Sequence, residues 1–261
     1  MIRARSYLGY PPVRAARPNV SHYSLTALHH HGFVHKLITQ NVDGLHSRSG
    51  FPMEDLLELH GTLFVVRCRH GHEIDRDEFQ NILSTMNPSW KAFVDEMAAR
   101  GESLRTNPDG DVELEGRSYH DFVVPPCPTC QNEGRIETII KPDIVFFGGS
   151  VPEHKKERSL YEVETANRFL VIATTMATYS AYRLIQLAHE QKKPTLILNL
   201  GPTRADNLEI TKIELSCGEA LKAVTKTLWY VSMIAVNTAA NSGTSLPQDT
   251  WGKELLEKLD E

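Results

Sequence analysis

Long hydrophobic runs are missing from this chain. No stretch of it approaches the ~20 apolar residues that cross a bilayer, so a membrane-spanning helix is excluded and no membrane partner is expected. Cysteine is scarce: four among 261 residues, too few for a disulfide scaffold. Their unequal spacing points instead to a metal site and an intracellular home. An excess of positive charge is also missing. The net charge of -5 argues against direct binding of nucleic acid, which wants surplus Lys and Arg on one face. No internal repeat is present. What remains is 41% hydrophobic and 23% charged, an ordinary soluble globular composition long enough for one large or two modest domains.

Acid is absent from the first eighteen residues, which carry Arg3, Arg5, Arg14 and Arg17 and so mimic a mitochondrial transit segment. The segment also holds Tyr7, Gly9, Tyr10, Pro11 and Pro12 and runs straight into a helix signal. It is read as part of the fold. Asn19 to His31 follows Pro18 as a helix, with Gly32 as its stop. Val34 to Gln40 reads as a strand that ends in Asn41-Val42-Asp43-Gly44. Leu56 to Leu59 is a short apolar stretch delivering His60-Gly61, and β-rich Thr62 to Val66 leads to Cys68.

The chain then changes character. Phe79, Ile82, Leu83 and Met86 fall at helical spacing, and Trp90, Phe93, Val94, Met97 and Ala98 repeat the stripe after Pro88. Core packing accounts for both. Asn107 to Gly110 reads as a turn in a polar loop. An α/β rhythm resumes with Asp143 to Phe147, Phe169 to Ala173 and Thr195 to Leu200, nearly continuous apolar runs of the kind buried on both faces of a parallel sheet. Helical segments near Leu160 and from Tyr179 to Glu190 lie between them. The expected fold is α/β: a Rossmann-like, doubly wound parallel sheet, incomplete at its N-terminal side, with an inserted small zinc-binding module. The expected domains are 1–66 with 131–230 for the sheet, 67–130 for the insertion, and a tail at 231–261 with little pattern before a terminal helix at Trp251 to Leu259.

Cys127-Pro128-Thr129-Cys130 is a C-P-x-C knuckle followed by Gly134. Two thiolates so spaced can grip one tetrahedral zinc, which needs two further ligands. Cys68 with one histidine of Cys68-Arg69-His70-Gly71-His72 completes the set. His72 is favoured over His70, because the longer spacing lets the ring fold back without straining the turn. A redox dithiol or a free surface pair are the alternatives. The zinc is expected to be structural.

Polar residues gather at strand ends, where open α/β sheets bind ligands. Gln40, Asn41, Asp43 and His46 follow one strand and His60 another. Thr174 and Thr175 follow a third, Asn199 and Gly201 a fourth.

Thr39-Gln40-Asn41-Val42-Asp43-Gly44-Leu45-His46 closely resembles the T-Q-N-[IV]-D-x-L-H motif of sirtuins. Glu58-Leu59-His60-Gly61 is similar to their E-x-H-G, and Lys141 to Gly148 to their K-P-D-[IV]-V-x-F-G. Asn199-Leu200-Gly201-Pro202-Thr203-Arg204 and Cys217-Gly218-Glu219 resemble the adenosine end of the site. Order and spacing agree over about residues 3 to 228. Residues 201–204 and 7–12 look most like the mitochondrial class related to lipoamidase and ADP-ribosyltransferase members.

The resemblance implies NAD-dependent removal of acyl groups from protein lysines, with NAD as co-substrate, a structural zinc and an acyl-lysine peptide as partner, in mitochondria. It implies that the acyl oxygen attacks C1′ of the nicotinamide ribose while His60 acts as general base through the ribose hydroxyls. Gln40 and Asn41 would position the ribose and acyl group, and Asp43 the carboxamide. Thr174, Thr175, Asn199, Gly201 and Cys217 would line the adenosine and phosphate side. Val145, Phe146, Phe147 and Gly148 would pair with the substrate peptide as a strand.

The sequence departs from the family in three places. Its glycine-rich G-A-G-x-S loop and G-I-P-D-F-R segment have no counterpart here, so the chain is expected to bind NAD poorly, or to be a non-catalytic zinc-containing module of sirtuin descent. The G-[ST]-S-L stretch reads Ala173-Thr174-Thr175-Met176, whose extra methyl is expected to crowd the cofactor. Gly149 stands where Glu is frequent, and Gly71 where the second zinc cysteine usually falls.

Overall fold

The computed structural model describes residues 2–101, 120–136, 138–146, 148–240 and 258. Along the chain run α1 (Ile2–Ala15), α2 (Val20–His30), β1 (Leu37–Thr39), α3 (Leu45–Arg48), β2 (Leu56–Glu58), β3 (Gly61–Cys68) and β4 (Glu73–Asp75). There follow α4 (Arg76–Met86), α5 (Pro88–Ala99), α6 (Pro128–Asn132), β5 (Ile140–Ile144), α7 (Glu153–Thr165) and β6 (Phe169–Ile172). Last come α8 (Tyr179–Glu190), β7 (Thr195–Leu198), β8 (Thr211–Ile213) and α9 (Cys217–Ala240). Among the described residues no helix is long and apolar enough to cross a membrane. The turn expected at Asn107 to Gly110 lies outside the described residues, as does the helix expected at Trp251 to Leu259 apart from Lys258.

The chain divides into two compact units. One comprises Met1–Ala16, Asn41–Gly44 and His60–Gly149; the other comprises Arg17–Gln40, Leu45–Leu59 and Ser150–Glu261.

In the first unit, α1 is helical despite Pro11 and Pro12. Pro11 cannot donate to the Tyr7 carbonyl four residues back. That carbonyl instead accepts from Gln80 Nε2 of α4 at 2.8 Å. Ala4, Tyr7 and Leu8 are buried with Val66, Phe79, Leu83 and Trp90, so the arginine-bearing segment is a core element. Arg76 is buried as well: its Nη2 donates to the Ser6 carbonyl at 3.0 Å, its guanidinium lies 4.4 Å from the Tyr10 ring centre, and burial pushes it down to about 10.

A three-stranded sheet of order β4-β3-β5, antiparallel throughout, completes this unit. This corrects the expectation that Asp143 to Phe147 is a buried strand of the parallel sheet. The strand begins earlier, at Ile140, pairs antiparallel with β3, and beyond its buried first residue is exposed at Lys141 and half buried from Pro142 to Ile144. Pro142 gives the physical reason. It has no N–H for the ladder and so belongs on an edge strand or at an irregularity. It sits at both, where the register jumps between Thr62 and Val66.

Gly61 is forced by the same pairing. Its φ is +89°, and a Cβ there would lie 1.9 Å from the Asp143 carbonyl oxygen. Gly61→Ala is therefore expected to cost at least about 2 kcal/mol of unfolding free energy, from left-handed strain plus displaced backbone. A urea midpoint unchanged from wild type would contradict this.

The second unit holds two parallel ladders, β1-β2 and β6-β7-β8. With their covering helices they form the expected Rossmann-like α/β architecture. β1 is shorter than the expected Val34 to Gln40, because only Leu37 to Thr39 find ladder partners, on Leu56 to Glu58. The helix at Asn19 starts as expected: the Asn19 side chain accepts from the N–H groups of Ser21 and His22, and Gly32 adopts φ +74°. Val171, Met176, Tyr182, Ile185 and Ile197 form one core cluster, Leu59, Val163, Leu184 and Ala188 a second. The weakly patterned tail is corrected: α9 runs from Cys217 to Ala240, and its Leu221 packs on Leu25 and Leu28 of α2.

Candidate functional site

In the first unit the chain brings three sulfurs and one imidazole together. Cys68 closes β3, and a tight turn through Gly71 (φ +88°) returns His72 beneath it, with the Cys68 N–H donating to the His72 carbonyl at 3.0 Å. Cys127 and Cys130 bracket the first turn of α6, where Pro128 suits the opening helical position. The ligand atoms of Cys68, His72, Cys127 and Cys130 all lie within 4.8 Å of one another. His72 Nδ1 is 3.5, 3.3 and 3.6 Å from the sulfurs of Cys68, Cys130 and Cys127, and Cys68 Sγ is 3.6 Å from Cys130 Sγ. His70 is turned elsewhere, its Nε2 3.3 Å from the Ile136 carbonyl.

These spacings fit zinc. With Zn–S near 2.3 Å and Zn–N near 2.0 Å, a tetrahedron has edges of about 3.5–3.8 Å. The charges also ask for a cation. Burial and the neighbouring Cys68 and Cys127 push the Cys130 thiol up to about 12. Burial works against the Cys68 thiolate too, but N–H groups of the His70–His72 turn and the adjoining thiols bring it below its ordinary value. A metal at the centre lets all three sulfurs be thiolates. Outside the ring of ligands, His72 Nε2 lies 3.7 Å from Glu133 Oε2, which Arg135 Nε holds at 2.6 Å.

In the same unit, His60 is held by its backbone. Its carbonyl accepts from Val145 N–H at 2.8 Å, while Leu59 before it is fully buried and Gly61 after it is wedged against Asp143. Asn41 is exposed and Asp43 half-buried, with Val42 between them accepting from Leu63 N–H at 2.9 Å. Val145 and Phe146 continue past the end of β5, an edge strand of its sheet among the described residues, to Gly148 at φ +81°. Phe147 lies outside the described residues.

In the second unit, the ends of two ladders meet through side chains. Gln40 follows β1, and its Nε2 donates to Thr174 Oγ1 at 2.9 Å; its Oε1 accepts from Thr178 Oγ1 at 3.2 Å. The loop between carries two left-handed residues that are not glycine, Ala173 at φ +50° and Met176 at φ +54°. Ala173 thus bears its methyl at a backbone conformation glycine prefers. Thr175 accepts from Arg204 N–H through its carbonyl at 2.9 Å. Asn199 is buried, and its Nδ2 donates to the Leu200 and Gly201 carbonyls at 2.9 and 3.2 Å. Beyond Gly201 (φ +78°), the Thr203 hydroxyl and N–H together with Lys212 hold Asp206 down at about 2. Cys217 Sγ lies 3.6 Å from Ser21 Oγ. Sequence reasoning missed Thr178. Its signal was its place, immediately before the expected helix at Tyr179, in a segment already singled out for Thr174 and Thr175.

A family model described as the Sir2 family matches residues 7–180. The chain belongs to the Sir2 family. Among similar proteins, an NAD-dependent protein deacetylase of Xanthomonas axonopodis pv. citri (strain 306) is 39% identical over 219 residues, covering 84% of this chain and 69% of that one. The NAD-dependent protein deacylase SIR4 of Monosiga brevicollis is 39% identical over 229 residues, covering 86% and 70%. Solved structures agree in fold. One described as the structural basis for sirtuin substrate affinity superposes at TM-score 0.62 with 24% identity, over 83% of this chain and 74% of that chain. Another, Sir2 bound to acetylated peptide, superposes at 0.62 with 23% identity, over 83% and 73%. The Sir2 family thus accounts for the Rossmann-like unit.

Proposed function

We propose that the chain is an NAD-dependent protein-lysine deacylase with a structural zinc held by Cys68, His72, Cys127 and Cys130. One observation carries this reading: the chain is 39% identical, over 84% of its length, to a protein named as an NAD-dependent deacetylase. The strand-end residues support it, since they supply the polar groups a dinucleotide needs. Thr174, Thr175, Asn199, Gly201 and Cys217 serve the adenosine and phosphate side, Gln40 and Asn41 the ribose and the acyl group, and Asp43 the carboxamide. Bound NAD supplies a ribose carbon from which nicotinamide leaves as an acyl oxygen adds. His60 takes up the proton released from the ribose hydroxyls, because imidazole titrates near working pH. The edge beyond β5, open among the described residues at Val145, Phe146 and Gly148, offers backbone groups to an extended acyl-lysine peptide. Mitochondrial residence belongs to the same reading, on the resemblance of residues 7–12 and 201–204 to that class.

Incubating the protein with NAD and acyl-lysine peptides of increasing acyl length tests this. The expected result is equal amounts of nicotinamide and deacylated peptide. Gain of ADP-ribose mass on a protein substrate, with the acyl group kept, would assign ADP-ribosyl transfer instead. Absence of nicotinamide with every peptide would refute both.

A further inference from the structure

We propose that Gln40 is a positioning residue that fixes the direction of the Thr174 hydroxyl, leaving Thr174 able only to donate, to an acceptor oxygen of the bound nucleotide. The identity of that ligand rests on the reading above; the direction of the bonds does not. A threonine hydroxyl has one proton and two lone pairs. Thr174 Oγ1 receives the Met176 N–H at 3.0 Å, and a backbone N–H has no other role than donor. It also receives Gln40 Nε2–H at 2.9 Å. Both lone pairs are then in use, and neither bond uses the hydroxyl proton.

The far end of the amide has the same polarity. Ser180 Oγ donates to Thr178 Oγ1 at 3.3 Å, and Thr178 Oγ1 donates to Gln40 Oε1 at 3.2 Å. Ser180, Thr178, Gln40 and Thr174 therefore form one row of bonds pointing the same way, each polarising the next. The reversed amide would turn Oε1 toward Thr174 and draw its proton inward. The row also spans the loop in which Ala173 and Met176 adopt left-handed φ, a conformation unfavourable for any residue with a side chain, so the hydroxyl is held on a braced segment.

Two measurements test this. The first is hydrogen exchange of the Gln40 side-chain amide, followed by nuclear magnetic resonance. Thr174→Val removes the acceptor of Nε2–H and is expected to speed its exchange about 10-fold, while Thr178→Val leaves it near the wild-type rate. The opposite pattern means the amide is reversed and overturns the proposal. The second is calorimetric titration with ADP-ribose. Gln40→Glu presents an acceptor to both threonines, turns the Thr174 proton inward, and is expected to weaken binding about 10-fold, as is Thr174→Val. Thr174→Ser, which keeps the hydroxyl, recovers most of the affinity lost in Thr174→Val. Wild-type affinity in Gln40→Glu overturns the proposal. A wild-type chain that takes up no ADP-ribose sinks the nucleotide-binding reading, and the exchange pattern still decides the direction of the row.

Discussion

Replacing Cys127 by Ser is expected to strip the protein of one zinc per chain and to unfold the unit around the knuckle before the rest. Cys127 and Cys130 are not surface ligands. Both are buried and belong to the same apolar cluster as Val66, Phe79, Leu83 and Trp90. Without the metal, that cluster would bury up to three thiolates against one imidazole with no cation to balance them, and Cys130 already resists ionisation strongly. Metal binding at such sites is folding free energy, about 10–16 kcal/mol in isolated zinc modules. Here the helix α1 and the β4-β3-β5 sheet retain part of the core, so a smaller but still large loss is expected. Elemental analysis gives the metal content, and circular dichroism during titration with a chelator follows the unfolding. Wild-type protein without zinc, or a Cys127→Ser variant that keeps it, would show the cluster to be a set of plain thiols. Of the four ligands, His72 tolerates change best: His72→Cys is expected to retain zinc, since thiolate is an equally good ligand and Gly71 permits the turn.

Much of this architecture is legible in the sequence, for reasons that differ by element. The helix at Tyr179–Glu190 is plain because Tyr182, Ile185 and Leu184 with Ala188 repeat at its period and are buried. The helix after Asn19 is plain because a capping side chain starts it and Gly32 ends it. The strand ends were readable because apolar runs stop there in polar residues. Other features depend on partners that no local pattern announces. An apolar run such as Ile144 to Phe147 does not say which sheet it joins; only Pro142 hints at an edge. The helix from Cys217 to Ala240 was hidden because Thr225 and other polar residues interrupt its stripe, yet Thr225 is buried. The bonds from Gln40 to Thr174 and Thr178 join residues 134 and 138 positions apart, and no spacing rule reaches that far. In the metal cluster, the ligand types were legible and the spacing favoured His72 over His70, and it is His72 whose ring lies against the three sulfurs while His70 turns to Ile136.

His60→Ala is expected to cut acyl removal by about 100-fold or more, the usual scale for losing general-base help, while changing NAD affinity far less. The argument starts from rigidity. A base must be held within a fraction of an ångström of the proton it takes, on backbone that does not drift. His60 sits between Leu59, which is fully buried and whose N–H donates to the Thr39 carbonyl at 2.9 Å, and Gly61, which cannot carry a Cβ against Asp143. Its own carbonyl is fixed by Val145 N–H. The chain has thus fixed the backbone on both sides of an imidazole, the one side chain whose unperturbed titration falls near neutral pH. Rates of acyl removal from an acyl-lysine peptide at saturating NAD, compared with calorimetric NAD binding for both proteins, separate the two effects. Loss of turnover with affinity preserved supports a base. Equal loss of both would make His60 a binding residue, and near-normal turnover would remove it from the reaction.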